Sequence, residues 1–148
     1  MKDIFSPEVS NEVIARIKQL TPESIPLWGK MNVAQMLAHL CVSYEKVYDS
    51  NQQKPGFLKL FLLKTFVKKA VVSKKPYKKN SPTAPEFKIV DERNFNHEQK
   101  RLIDFIQKTH KLGKEHFHNT DYPSFGILTG DEWNNLFYKH IDHHLTQF

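Results

Sequence analysis

The segment from about Val33 to Asp49 is apolar around most of a helical circumference, and this feature limits the fold more than any other in the chain. Its apolar residues recur at helical spacing and also cover much of the opposite side. A helix of this kind is usually enclosed by other elements. Asn32 can cap this helix, and Gln35 can reach back to it from three residues later. The pattern therefore predicts a central helix whose polar residues form one narrow line: Asn32, Gln35, His39, Ser43 and Lys46.

Two other stretches have both the apolar spacing and the end signals of helices. One runs from about Pro7 to Leu20. The other runs from about His97 to Leu112, with Asn96 as its expected N-cap and Gly113 as its terminator. Five glycines in 148 residues are few for a sheet-rich fold with many turns. We therefore expect an all-α fold, and the length suits a single domain over residues 1–148.

The last predicted helix opens with a capping box at Thr129 and Glu132 and carries two histidines on its apolar stripe. Residues four apart lie about 40° apart around a helix, so His140 and His144 can turn their rings to a common point. Neutral imidazole is the commonest protein ligand for zinc and similar divalent ions. The pair therefore indicates a metal site, although interior histidines can instead be hydrogen-bonded to backbone or water.

Two further histidines bear on the choice of ligands. His143 could chelate with His140 at a spacing of three, but it lies about 100° from His144 around the helix, so the three cannot share one ion. We favour His140 with His144. Such a site needs a third ligand. His39 is the candidate because a polar line on an enclosed helix suits the wall of a cleft; alternatively, this line faces solvent and His39 binds nothing.

The net charge of +6 comes from the Lys-rich 54–79 segment, because nine lysines and no acidic residue lie between Asp49 and Glu86. Within it, Phe57 to Val72 predicts a short amphipathic helix and Lys74 to Pro85 a loop. The segment could bind nucleic acid or an anionic membrane surface through its interleaved lysines and aromatic residues. We favour another interpretation, a helix that covers the bundle with solvated lysines and buries its aromatic residues: Phe57, Phe61 and Phe66.

No catalytic residue can be assigned from the sequence. The residue after His140 is Ile141, not the glutamate of an HExxH metalloprotease, and Asp142 lies on nearly the opposite side of the helix. Cys41 lies about 200° around its helix from His39 and is expected to be a small core residue, not a ligand or nucleophile. Three residues could carry protons but could equally serve in packing or on the surface: Tyr44, Glu45 and Tyr138.

Composition and the N-terminal segment indicate the compartment. The single cysteine, Cys41, excludes an intramolecular disulfide. The first ten residues lack the apolar core of a signal peptide. The longest strongly apolar stretch, Phe57 to Val72, is interrupted by lysines and is too short to span a membrane. We therefore expect a cytoplasmic protein with no transmembrane segment.

Two blocks of the sequence resemble the DinB-like superfamily. The first is WGKMNVAQMLAHL, from Trp28 to Leu40. The second begins with SFG at Ser124 and ends with YKHIDHHLTQF, from Tyr138 to Phe148. This second block is similar to a largely uncharacterised branch whose members end in an HxxHHLxQF-like segment. The resemblance covers most of the chain apart from its Lys-rich middle.

The resemblance implies a four-helix bundle with an extra short helix and a basic loop inserted between helices 2 and 3. It also implies one divalent metal ion, nickel or zinc, held by His39 from helix 2 and by His140 and His144 from the last helix. The superfamily includes metal-dependent hydrolases and thiol (S-)transferases, which act on a small-molecule substrate or thiol, and many members form homodimers. The alternatives are a non-catalytic metal- or ligand-binding protein and a surface-binding module formed by the Lys-rich 54–79 segment. Nucleic acid is not the expected partner.

Overall fold

The computed structural model describes residues 1–49, 51 and 55–148, so the Lys54 end of the Lys-rich segment lies outside the described residues. The described chain is mostly helical, as the sequence predicts. Its α-helices are α1 (Pro7–Gln19), α2 (Val33–Tyr48), α3 (Phe57–Leu62), α4 (Lys68–Val72), α5 (Phe95–Phe117) and α6 (Gly130–Leu145). A π-helical turn, Leu63–Val67, joins α3 to α4, and a 3-10 turn, Pro85–Phe87, precedes α5.

A small antiparallel hairpin of β1 (Thr120–Tyr122) and β2 (Gly126–Leu128) leads into α6. Thr120 pairs with Leu128, and Tyr122 pairs with Gly126. The sequence predicts only a turn-rich stretch here, because strands of three residues are too short to show the alternation that identifies a strand. Tyr122 and Leu128 are buried, so the hairpin closes one end of the core.

Among the starts of α2, α5 and α6, the capping signals hold with one exception. Asn32 with Gln35, and Thr129 with Glu132, form reciprocal capping boxes at α2 and α6, as predicted. The expected cap of α5 is wrong: Asn94, not Asn96, accepts a hydrogen bond from the N–H of His97. The helix begins earlier because Phe95 packs against the core.

Gly113 interrupts α5 without ending it. Its φ of +75° breaks the helical path, and a further turn continues to Phe117. The extra turn carries the Phe117 ring into the core, 5.3 Å from Phe137 and 5.6 Å from Phe5 between ring centroids. The expected end at Leu112 is therefore one turn short, since burial of Phe117 favours the continuation.

The four longer helices share one core, with α2 packed on both α5 and α6, and α1 packed on α5 and α6. Tyr44, at the centre of α2, is enclosed on both faces, since its ring stacks on Phe105 at 5.6 Å and on Phe137 at 5.1 Å. Cys41 is fully buried, as expected for a core residue. The enclosed helix of the sequence prediction is thus α2, and this position brings its polar line beside α6.

The segment from α3 to α4 lies against α6. Its contacts with the bundle come from aliphatic residues, with Val72 buried and Leu63 and Val71 half-buried against the core. The predicted burial of the aromatic residues is wrong, because the aliphatic side of the segment, not its aromatic side, packs against the core. The aromatic rings face outwards: Phe57, Phe61 and Phe66 are 88%, 56% and 68% exposed. None of the described helices has the length and apolar character needed to cross a membrane.

Candidate metal centre

Three histidines from two helices meet where α2 packs on α6. His39 lies on α2, and His140 and His144 lie one turn apart on α6. The ring centroid of His39 is 4.9 Å from that of His140 and 4.7 Å from that of His144, and the last two are 5.0 Å apart. The structure therefore brings together the three residues that the sequence predicts as metal ligands.

Hydrogen bonds at the second ring nitrogen orient two of the rings. Nδ1 of His39 lies 2.8 Å from the carbonyl oxygen of Phe87, which can only accept, so this nitrogen carries the proton. Nδ1 of His144 lies 3.0 Å from Oε1 of Gln147 and is protonated for the same reason. In a neutral imidazole the other nitrogen is then an acceptor. His39 and His144 therefore offer their Nε2 lone pairs as potential ligands.

Burial keeps these rings neutral. It lowers the pKa of His39, and it lowers the pKa of His144 to about 3. Burial, followed by the neighbouring His39 and His144, holds the pKa of His140 well below its usual range. Ligation requires the neutral form of imidazole. All three rings are therefore in the state that binds a metal at neutral pH.

The spacing of the three rings fits a single divalent ion. Nitrogens at about 2.0–2.1 Å from a tetrahedral ion lie about 3.3 Å from one another. Nε2 of His39 is 2.9 Å from Nε2 of His140, and the ligand atoms of the three histidines all lie within 4.8 Å of one another. These distances bracket the expected value, so the residues present could hold such an ion.

A cleft of about 1410 Å³ opens onto the histidines. It lies between the polar line of α2, the α3 to α4 segment and the loop that precedes α5. Ser43 and Lys46 join His39 on the α2 wall, so this part of the polar line borders a cleft, whereas Asn32 at its start is exposed. The opposite wall is aliphatic and includes Leu63 and Val71. The site is therefore accessible to a small molecule.

A family model described as "Protein of unknown function (DUF1569)" matches residues 6–148. The chain belongs to this family. A comparison with curated proteins and another with solved structures found no match. The family description assigns no activity, so the function of this DUF1569 member is inferred from the geometry of the site.

In this DUF1569 protein, the other sequence candidates do not join the three ligand atoms. The ring of His143 lies 5.2 Å from that of His144 and borders the cleft, but it packs towards Trp28 and Tyr77, and among the described residues it is not part of the cluster that could hold an ion. Asp142 pairs with Arg16 at 2.7 Å on the other side of α6. Burial raises the pKa of the Cys41 thiol to about 12, which leaves it protonated.

None of the three proton-carrying candidates borders the cleft in the described structure. Tyr44 is enclosed in the core, and Glu45 pairs with Arg101 at 2.7 Å on the surface. Tyr138 is buried and is not among the residues that line the cleft. The structure therefore assigns a catalytic role to none of them.

Sequence reasoning missed the residues that hold the histidines in place. Gln147 is 3% exposed, orients His144 and donates a second bond from Nε2 to the carbonyl oxygen of Trp28. Its position three residues after His144 is a signal that could have identified it. Phe87 orients His39 through a main-chain carbonyl, which has no sequence signature. Tyr77 stands edge-on to His140 with ring centroids 6.4 Å apart.

Proposed function

We propose that this DUF1569 protein is a divalent-metal protein of the DinB-like type, a four-helix bundle in which His39, His140 and His144 bind nickel or zinc. We further propose that it is a hydrolase or a thiol (S-)transferase that acts on a small molecule in the adjoining cleft. The observation that carries this proposal is the pair of Nδ1 hydrogen bonds, from His39 to Phe87 and from His144 to Gln147, that turn Nε2 towards a common point. Metal-binding histidines commonly have such outer partners.

Without an ion, the cluster would bury histidine lone pairs that have no hydrogen-bond donor. His39 and His144 are nearly buried, and both present an acceptor nitrogen to the same small space, where His140 can supply only one proton. Buried polar atoms without partners are costly. A divalent ion would satisfy three lone pairs at once, which makes metal binding a better explanation of this cluster than packing.

Three protein ligands are typical of catalytic sites, in which the ion keeps an open position and can act as a Lewis acid towards a carbonyl group or bind a thiolate. The chain's own residues prepare this site: Phe87 and Gln147 orient two ligands, and Leu63 and Val71 give one wall of the cleft an apolar surface. The volume of the cleft suits a small-molecule substrate.

The second candidate is a non-catalytic metal- or ligand-binding protein. One observation favours it: in the described structure, Tyr44, Glu45 and Tyr138 all lie away from the cleft, and Glu86, which does line it, is paired with Lys59. A hydrolase usually needs a group that moves a proton within hydrogen-bond reach of its substrate. A thiol transferase depends less on such a group, because a thiolate is already nucleophilic.

A substrate panel distinguishes the two candidates. Protein loaded with Zn²⁺ or Ni²⁺ is assayed with esters, amides and thiol-acceptor pairs, with and without a chelator. We expect turnover that the chelator removes, that His140→Ala abolishes and that His97→Ala retains, because the His97 side chain is 66% exposed and distant from the cluster. A loaded protein with no metal-dependent turnover across the panel would contradict the enzymatic proposal and support the binding one.

A further inference from the structure

The outer face of the α3 to α4 segment is apolar and open to solvent. Its largest members are three phenylalanines, of which Phe57 is 88% exposed and Phe66 is 68% exposed. Two leucines, Leu58 and Leu62, lie between them and are also exposed. We call these five residues the outer apolar face: Phe57, Leu58, Phe61, Leu62 and Phe66. Single-chain soluble proteins rarely leave such a contiguous patch uncovered, and such patches usually mark interaction sites.

The π-helical turn allows one segment to have two apolar sides. Leu58, Leu62 and Phe66 follow one another at a spacing of four, which is one line along the outer side. The wider turn at Leu63–Val67 rotates the following residues by about 100° relative to an unbroken α-helix. Val72 is thereby buried against α6, while the aromatic line stays outside.

Basic residues alternate with and follow the residues of the outer apolar face along the chain. No acidic residue occurs between Asp49 and Glu86 in the sequence. Lys59 pairs with Glu86 at 3.1 Å, and Lys68 lies 3.8 Å from Glu132. The remaining lysines of the described segment and of the loop after it are exposed: Lys64, Lys69, Lys74, Lys75, Lys78 and Lys79. The surface thus combines a large apolar area with a border in which lysines outnumber the two acidic partners, Glu86 and Glu132.

We propose that the outer apolar face docks on an anionic lipid bilayer, with the phenylalanines and leucines inserted among the headgroups and the lysines in contact with acidic lipids. Amphipathic helices with aromatic and aliphatic residues on one side and lysines beside them lie in membrane interfaces in this way. The Lys-rich loop would add electrostatic attraction to the negatively charged surface. This docking requires neither metal nor turnover at the histidines.

The charge pattern favours a bilayer over two other partners. A second copy of the chain would bring two lysine-rich borders together, and like charges oppose such an interface. Single-stranded nucleic acid binds by stacking bases on aromatic rings, whereas Leu58 and Leu62 offer no ring surface. Acyl chains accept both leucine and phenylalanine, and acidic headgroups complement the lysines.

Vesicle co-sedimentation of the full chain tests the proposal. We expect binding to vesicles of phosphatidylcholine with phosphatidylserine, and binding weaker by at least about tenfold to phosphatidylcholine alone. The combined variant Phe57→Ser, Phe61→Ser and Phe66→Ser should lose at least about tenfold in affinity while melting like the wild type. Each of Lys64→Gln and Lys69→Gln should lower affinity about fivefold.

A matched control comes from another exposed apolar pair. Ile25 and Leu27 are 80% and 76% exposed and lie outside the segment, so Ile25→Ser with Leu27→Ser should bind vesicles like the wild type. As a second measurement, Phe61→Trp places a fluorophore on the outer apolar face, and its emission should shift to shorter wavelength only with anionic vesicles.

Three results would overturn the proposal. The first is no binding to anionic vesicles, or equal binding by the triple serine variant and the wild type. The second is a dimer in sedimentation analysis that the triple serine variant dissociates, with no vesicle binding, which would assign the face to a second copy. The third is retention of an oligonucleotide without vesicle binding, which would assign it to nucleic acid.

Discussion

At the scale of single residues, the hydrogen bond at Nδ1 of a histidine ring fixes the direction in which its Nε2 can bind a metal. His39 is fixed by the main-chain carbonyl of Phe87 and His144 by the side chain of Gln147. Gln147 is itself fixed, since its Nε2 donates to the carbonyl oxygen of Trp28. The chain preceding α2 therefore helps to position a ligand on α6, and residues outside the cluster should affect metal affinity.

Replacement of Gln147 by leucine removes the acceptor of His144 while keeping a similar volume. We expect the affinity for Zn²⁺ to fall about 10- to 100-fold, which is typical for loss of an outer partner of a metal ligand. Competition with a chromophoric chelator measures this. Thr146→Ala is the control, because it removes only a hydroxyl that donates to the carbonyl oxygen of His143. Equal affinities for the two variants would show that Gln147 does not orient His144.

Gly29 lies where Gln147 approaches the main chain. Its φ is +85°, and an added Cβ would lie 2.6 Å from Nε2 of Gln147. Gly29→Ala should therefore destabilise the protein by about 1–2 kcal/mol and displace Gln147, so that Zn²⁺ affinity falls as well. Urea unfolding and chelator competition measure the two effects. Gly56→Ala, where an added Cβ has open space in the described structure, should change neither; an unchanged Gly29→Ala variant would refute the close approach.

The residues of the site differ in how far the sequence could predict them. His140 and His144 follow from their spacing on one apolar stripe, because a helix places residues four apart on one side. His39 depends on the family resemblance, since the polar line of α2 could equally have faced solvent. Gln147 could have been found from its spacing to His144. Phe87 could not, because any residue has a carbonyl oxygen and only the folded chain decides which one approaches His39.

At the scale of elements, the α3 to α4 segment is held on α6 by two polar side chains. Nδ2 of Asn135 donates to the carbonyl oxygen of Val72 at 2.8 Å. Nζ of Lys139 donates to the carbonyl oxygens of Ala70 and Ser73 at 2.8 and 2.6 Å, at the C-terminal end of α4. Positive charge at a helix C-terminus is favourable. These bonds fix the wall of the cleft relative to the histidines.

Lys139→Met should release the α3 to α4 segment without unfolding the bundle. The variant loses two charge-assisted hydrogen bonds of a side chain whose residue is 3% exposed, at a cost of about 1.5–3 kcal/mol. Hydrogen–deuterium exchange with mass spectrometry should then show amides of residues 57–72 exchanging about ten- to a hundredfold faster, with α5 unchanged. Lys111→Met, on the exposed side of α5, is the control. Unchanged protection in residues 57–72 would contradict this role of Lys139.

Helix positions were predictable because capping residues and apolar spacing act locally. The capping boxes at Asn32 and Thr129 mark the starts of α2 and α6 in sequence and structure alike. The start of α5 could not be predicted in this way, because Asn94 and Asn96 both satisfy the capping rule. Packing of Phe95 against the core decides between them. The orientation of the α3 to α4 segment could not be predicted, because both of its sides are apolar. The π-helical turn that decides which side faces the core has no sequence signal.

At the scale of the whole molecule, the positive net charge is due to the nine lysines of the segment that covers the cleft, since acidic residues outnumber basic ones in the rest of the chain. The four longer helices form the core beneath this segment. The chain thus separates a buried cluster of neutral histidines from a basic, apolar outer surface. The expected homodimer, the small-molecule or thiol substrate and the cytoplasmic location stay predictions, since they depend on properties beyond a single folded chain. The DUF1569 family model matches nearly the whole sequence, so metal binding can be tested in other members of the family as well.

The metal content of the full chain tests the central claim most directly. The protein is purified without an affinity tag, supplied in separate samples with Zn²⁺ and Ni²⁺, freed of loosely bound ions and measured by elemental analysis. We predict about one ion per chain for the wild type and for His97→Ala, and loss of that ion in His140→Ala, because three neutral imidazoles form the site. A folded wild-type protein that holds no ion under either supplementation would contradict the account.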